Sequence, residues 1–149
     1  MSQCRGCGQP LCSVECPEAG GFHHLECPLL QDLQAELEAR GSWRWEIISV
    51  LRLLVTGLES GGLAGLQDHL EEVRAEADWP QYSEQVVSFL VSHFPHRWER
   101  PEVERAAGVL RTNAYCVEAG QSGQFGMVRI IYPLLSLMSV LMSFLHLTQ

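Results

Sequence analysis

Apolar residues recur at helical spacing through the middle of the chain. Five segments between residues 28 and 113 place an apolar residue every three or four positions, with polar and charged residues between them. The segments are PLLQDLQAELEARG (28–41), WRWEIISVLRLLVTG (43–57), LAGLQDHLEEVRAEADW (63–79), QYSEQVVSFLVSHF (81–94) and RPEVERAAGVLRTN (100–113). Glycine or proline stands near most of their ends, as is typical of helix boundaries. The pattern predicts five amphipathic helices.

Each predicted helix has one apolar face that we expect to be buried. In the second helix, Arg44, Glu46 and Arg52 fall on the opposite face, which we expect to meet water. The inward-facing positions are Leu29, Leu30, Leu33, Leu37, Trp43, Ile47, Val50, Leu51, Leu54, Leu63, Leu66, Leu70, Val73, Tyr82, Val86, Phe89, Leu90, Val103, Ala107 and Leu110.

The apolar pattern changes after residue 113. AYCVEAG (114–120) and QFGMVRIIY (124–132) are short β-branched and aromatic runs around a loop of Gly, Gln and Ser, which is typical of a β-hairpin. We therefore expect an α+β chain that is mostly α, with these two strands as its hairpin. After Arg129 the chain carries no Lys, Arg, Asp or Glu.

The charge balance narrows the classes of partner. The 149 residues include 18 acidic and 10 basic side chains, for a formal net charge of −8. Such a chain repels phosphate backbones and anionic lipid surfaces, so we expect no direct binding to nucleic acid and no membrane surface binding. Protein or peptide partners fit better, in the nucleus or the cytoplasm. The length accommodates one domain with its own core and a small additional module.

Candidate chemistry is concentrated in the first 27 residues. Five of the six cysteines lie there, together with two histidines, at separations that suit tetrahedral zinc. The predicted ligands are Cys4, Cys7, Cys12, Cys16, His23 and Cys27. A disulfide framework is the alternative, but disulfide scaffolds are typical of secreted chains and no apolar signal segment opens this one.

Spacing predicts how the ligands are shared. Only four residues separate Cys7 from Cys12, so binding both cysteine pairs to one ion requires a very tight loop. We therefore expect Cys4 and Cys7 to bind one ion together with His23 and Cys27. Cys12 and Cys16 then belong to a second, incomplete site.

These residues resemble a known family. The order CxxC, PLCSxxC, HxxxC is similar to the second half of a MYND zinc finger, and VLRTNAYCVEAG with YPLLSLMS resembles SET and MYND domain lysine methyltransferases of the arthropod type. The resemblance implies four parts: a partial finger (1–28), a helical region with the SET insertion (29–112), a partial SET core with its hairpin (113–139) and a divergent tail (140–149). It also implies a chain truncated at both ends.

The resemblance implies S-adenosylmethionine as a cofactor beside Zn²⁺. The positions that match the family's cofactor contacts are His69 and Asn113. From the residues alone, His69 also fits a surface or core histidine, and Asn113 fits a helix cap or a left-handed turn. The family's catalytic Asn-His-Ser-Cys motif is absent from the sequence, so we assign no catalytic residue and expect this chain to be inactive.

Two other functions stay open. A MYND-like finger on a helical platform can dock proline-containing or histone peptides as an adaptor, without catalysis. Residues 130–147 form an uncharged stretch of the length that a membrane anchor needs, although Pro133, His146 and three serines dilute it.

Overall fold

Helices make up most of the described chain. The computed structural model describes residues 2–11, 23–57, 65–119 and 126–131. Two very short strands, β1 (Ser2–Gln3) and β2 (Pro10–Leu11), pair at the N-terminus. The helices are α1 (His23–Asp32), α2 (Gln34–Ala39), α3 (Trp43–Thr56), α4 (Leu70–Arg74), α5 (Trp79–Tyr82), α6 (Phe89–His93) and α7 (Arg100–Asn113). Strands β3 (Ala114–Ala119) and β4 (Gly126–Ile131) follow.

The first helical segment begins earlier than its apolar pattern indicates. Helix α1 starts at His23, within the segment assigned to the finger, and the run to Ala39 is interrupted at Leu33, where φ is −97° and ψ is 1°. Pro28 lies inside α1, where it lacks the N–H that would bond the carbonyl of His24. His23 and Cys27 are therefore one turn apart on the same helix.

The prediction of a helix over 63–79 is wrong in extent. Residues 66–69 are irregular, and only Leu70–Arg74 is helical before α5. His69 has a left-handed φ of 42°, and the N–H of Leu70 donates to Oδ1 of Asp68 at 3.1 Å. The loop also lies close to α7: a Cβ at Gly108 would be 2.6 Å from the carbonyl oxygen of Asp68. Glycine at this position permits the contact.

The other three predicted helices are confirmed. Helix α3 ends at Thr56 and is followed by Gly57, whose φ is 85°. Helices α5 and α6 form one run through a π-helical segment, Ser83–Ser88, which matches the segment predicted at 81–94. Helix α7 has Pro101 in its first turn, and the N–H of Glu99 donates to the Glu102 carboxylate at 2.8 Å.

The core lies between α3, α7 and the run from α5 to α6. Helix α1 packs on α3, and α4 packs on α7. Tyr82 is central, since its ring stacks on Trp79 and meets Trp43 edge-on. Apolar residues that are at most 1% exposed are Leu30, Ile47, Val50, Leu51, Tyr82, Val86, Val87, Leu90, Val103, Ala106 and Ala107. Most of them were predicted from the helical pattern.

Strands β3 and β4 pair antiparallel after α7. Their register runs from Ala114 opposite Ile131 to Ala119 opposite Gly126. The assignment of these strands to a SET core stays a prediction. Among the described helices, none combines the length and the apolar character needed to span a bilayer. Most of the hypothetical anchor, residues 132–147, lies outside the described residues.

Candidate metal centre

The first two ligands lie in a tight turn between β1 and β2. The N–H of Gly8 donates to the carbonyl of Cys4, and the N–H of Cys4 donates to the carbonyl of Gln9, both at 2.9 Å. Gly8 has a φ of 70°, a left-handed conformation that glycine adopts without steric cost. These two hydrogen bonds close the turn that carries both Cys4 and Cys7.

The other two ligands come from the start of α1. His23 and Cys27 are four positions apart, so their side chains lie on one face of the helix. Side chains of helical residues lean towards the N-terminus, which here is the end that faces the Cys4–Cys7 turn. A regular helix thus supplies one half of the site and a turn supplies the other half.

The four side chains form one compact cluster. The ligand atoms of Cys4, Cys7, His23 and Cys27 all lie within 4.8 Å of one another. The Sγ atoms of Cys4 and Cys27 are 3.6 Å apart, and Sγ of Cys7 is 3.7 Å from Nε2 of His23. Bonds of about 2.3 Å to sulfur and 2.0 to 2.1 Å to nitrogen give tetrahedral edges of about 3.8 and 3.6 Å. The cluster is therefore a possible metal site, compatible with Zn²⁺.

The cluster has the ligand set that was predicted for the first ion. None of the three cysteines described there forms a disulfide. His24, the neighbour of His23, is exposed and is not one of the four clustered ligands. Cys12 and Cys16 lie outside the described residues, so the second site stays a prediction.

The three thiols have very different acidities. Backbone N–H donation from Cys7, with help from His23, lowers the pKa of Cys4 to about 6. Burial raises the pKa of Cys27 to about 12 and also raises the pKa of Cys7. Burial alone would lower the pKa of His23, but hydrogen bonds that the imidazole donates to Cys4 and Glu26 reverse the effect and raise it. At pH 7 the metal-free cluster thus contains a Cys4 thiolate beside two protonated thiols.

These acidities predict proton release on metal binding. Zinc binds thiolates and neutral imidazole, so at pH 7 Cys7 and Cys27 must each lose a proton, about two protons in all. The raised pKa of His23 adds to the proton release as the pH falls. Because protons are released, zinc affinity should rise with pH and fall as the solution is acidified. Calorimetry in buffers of different ionisation enthalpy measures the number directly. Binding without proton release would show that the thiols are already ionised.

A buried carboxylate supports the histidine. Glu26 is 1% exposed, and its Oε1 lies 3.1 Å from Nδ1 of His23. Arg52 donates to the same carboxylate from Nε at 2.8 Å and from an Nη nitrogen at 2.7 Å. These bonds raise the pKa of Arg52, whose guanidinium therefore stays charged. Glu26 was not predicted as part of the site. Arg52 was predicted to face water, and its side chain is indeed 54% exposed, but it also binds Glu26.

Of the two residues predicted to bind a cofactor, Asn113 lies at the end of α7 and His69 follows a loop that packs against that end. The loop before His69 contacts α7, since Thr112 donates to the carbonyl of Asp68 at 3.1 Å. Asn113 is buried, and its side-chain amide donates to the carbonyls of Gln67 at 2.7 Å and Val109 at 3.0 Å. Both donor hydrogens of Asn113 are thus used within the fold. The imidazole of His69 is about half exposed, at 46%.

A cleft lies between the Cys4–Cys7 turn and the helices α2 and α3. It measures about 250 Å³ and is lined by Gln3, Cys7, Gly8, Gln9, Gln34, Leu37, Glu38, Arg44, Trp45 and Ile48. Trp45 is 47% exposed, and the guanidinium of Arg44 stacks on its ring at 4.1 Å. Nε of Arg44 is buried without a hydrogen-bond partner. The cleft therefore combines an exposed aromatic ring with a guanidinium stacked on it.

Comparison of the chain with family models, with curated proteins and with solved structures gives no match.

Proposed function

We propose that this chain is a zinc-binding protein-interaction module. The observation that carries the proposal is the cluster of Cys4, Cys7, His23 and Cys27, whose three sulfurs and one nitrogen lie within 4.8 Å of one another. The two separations of 3.6 and 3.7 Å within it match the edges of a zinc tetrahedron. A closed set of four protein ligands is typical of structural zinc, because catalytic zinc keeps a position open for water or substrate. The ion would fasten the N-terminal turn to α1 and so to the helical body.

The cleft beside the cluster supports an interaction role. Its walls come from the turn that would bind zinc and from α2 and α3, so its shape depends on the turn being ordered. The cleft exposes Trp45 with Arg44 stacked on it. Tryptophan and arginine are among the residue types that contribute most of the binding free energy in protein interfaces. We propose that the cleft docks a short peptide, and that chelation of zinc abolishes this binding.

The second candidate is a SET and MYND methyltransferase-like protein. The observation that favours it is the contact between the loop carrying His69 and the end of α7 carrying Asn113, the two positions that the resemblance assigns to S-adenosylmethionine. Two hydrogen bonds would contribute about 1 to 3 kcal/mol, whereas micromolar affinity requires about 8 kcal/mol. The amide hydrogens of Asn113 are also already used. We therefore propose that these 149 residues do not transfer methyl groups.

Calorimetry with the zinc-loaded chain separates the two candidates. We expect no saturable binding of S-adenosylmethionine below about a millimolar. Tryptophan fluorescence should instead respond to proline-containing peptides, and the response should be lost in a Trp45→Ala variant and after chelation. Micromolar S-adenosylmethionine binding, or methyl transfer to a histone or peptide that an Asn113→Ala variant loses, would establish the enzyme candidate.

A further inference from the structure

Glu26 is a buried charged residue, and the apolar packing of the core gives no reason for a carboxylate at this position. It follows His23 by three residues in α1 and precedes Cys27 by one, and its side chain is buried between the cluster and α3. Burying a carboxylate is costly unless its oxygens are bonded. Here Oε1 faces both His23 and Arg52, and Oε2 accepts from Arg52.

The contact with His23 determines which ring nitrogen can bind a metal. A carboxylate accepts hydrogen bonds, so Nδ1 of His23 carries the proton that points at Glu26. In neutral imidazole this leaves Nε2 with the free lone pair, and Nε2 is the atom that lies 3.7 Å from Sγ of Cys7. The carboxylate thus fixes both the tautomer and the orientation of the ring.

Arg52 extends this support into the helical body. It is part of α3, whose buried face includes Leu51 and Leu54, and it holds Glu26 through two hydrogen bonds of 2.7 and 2.8 Å. The chain of contacts therefore runs from the cluster through His23 and Glu26 to α3.

We propose that Glu26, held by Arg52, is a positioning residue of the metal centre, which couples the metal affinity of the cluster to the position of α3. The inference rests on the proposed zinc site. Carboxylate partners of metal-binding histidines orient the ring and raise its basicity, and their loss typically reduces metal affinity 10- to 100-fold.

The fold provides a matched control at Glu104. This carboxylate in α7 is also buried, at 8% exposure, and it also contacts two arginines, Arg74 and Arg100. It makes none of the contacts within the metal cluster. A Glu104→Gln variant therefore removes a buried, arginine-bound charge from the same fold without touching the histidine.

The test measures zinc affinity by competition with a chromophoric chelator at constant pH. We expect Glu26→Gln to bind zinc about 10- to 100-fold more weakly and Glu104→Gln to bind it as the unchanged protein does. An Arg52→Met variant, which alters a side chain that is 54% exposed, should also weaken binding and serves if Glu26→Gln fails to fold. Nitrogen NMR of the zinc-loaded protein should show His23 coordinated through Nε2.

Each outcome decides a different point. Unchanged zinc affinity in both Glu26→Gln and Arg52→Met, or coordination through Nδ1, overturns the inference while leaving the zinc site intact. An equal loss of zinc affinity in Glu104→Gln would also overturn the inference, because the loss would then reflect reduced stability of the whole fold. Failure of the unchanged protein to bind zinc would overturn the proposed function and, with it, the inference.

Discussion

Replacing Cys4 by Ser is expected to abolish tight zinc binding and to unfold the turn between β1 and β2. A structural zinc site contributes roughly 10 kcal/mol or more of folding free energy to a segment without its own core, and loss of one of four ligands removes most of it. Within residues 3–9, Cys7 is buried in the core and Cys4 packs against it, so this turn has little apolar packing of its own. Zinc content after dialysis and proteolysis of the N-terminus measure the two effects.

Two variants provide controls for the Cys4→Ser result. Cys12→Ser should leave tight binding of one ion unchanged, because Cys12 is assigned to a separate, incomplete site. His24→Ala should likewise retain the ion, whereas His23→Ala should lose it, since only His23 belongs to the cluster. Equal damage from Cys4→Ser and Cys12→Ser would refute the pairing of Cys4 and Cys7 with His23 and Cys27.

Replacing Tyr82 by Ala should produce the largest loss in the helical body. Tyr82 is 1% exposed and stacks on Trp79 with a ring separation of 5.7 Å. Its ring also meets Trp43 at 6.0 Å and receives the guanidinium of Arg111 at 4.8 Å. Truncating a large buried aromatic side chain costs about 3 to 5 kcal/mol, because the cavity does not fully collapse. Urea unfolding of the zinc-loaded chain, followed by circular dichroism, measures the change.

Tyr82→Phe is the matched variant. It keeps the ring in the same packing and removes only the hydroxyl, which donates to the Glu46 carboxylate at 3.4 Å. We expect a loss of about 1 kcal/mol or less, the usual net contribution of one hydrogen bond. A loss as large as that of Tyr82→Ala would show that the hydroxyl, and not the aromatic packing, stabilises this part of the core.

The helical core and the four clustered ligands were predictable because each depends on local sequence spacing. Apolar residues repeat with the period of a helix whether or not the partner helix is known, and this is sufficient to identify Ile47, Leu51 and Leu90 as buried. The short loop between Cys7 and Cys12 likewise favours the pairing of Cys7 with His23 without any knowledge of the fold.

The features that sequence reasoning missed depend on contacts between distant segments. Arg52 lies on the polar face of α3, and the apolar pattern of that helix does not indicate that Arg52 binds Glu26, a residue 26 positions earlier in the chain. The one sequence feature that could have indicated a role for Glu26 is its position in the same helix as His23 and Cys27, three residues after the first and one before the second. The left-handed conformation of His69 was likewise not predictable from the sequence, because the leucine spacing continues across the break in the helix. The close contact between Asp68 and Gly108 joins segments that are far apart in the sequence.

X-ray absorption at the zinc edge, combined with the zinc content of the purified chain, tests the central claim most directly. We expect one tightly held zinc per chain, with three sulfur ligands at about 2.3 Å and one nitrogen at about 2.0 to 2.1 Å. Absence of zinc, or a first shell of four sulfurs without nitrogen, would contradict the assignment of Cys4, Cys7, His23 and Cys27 as the ligand set.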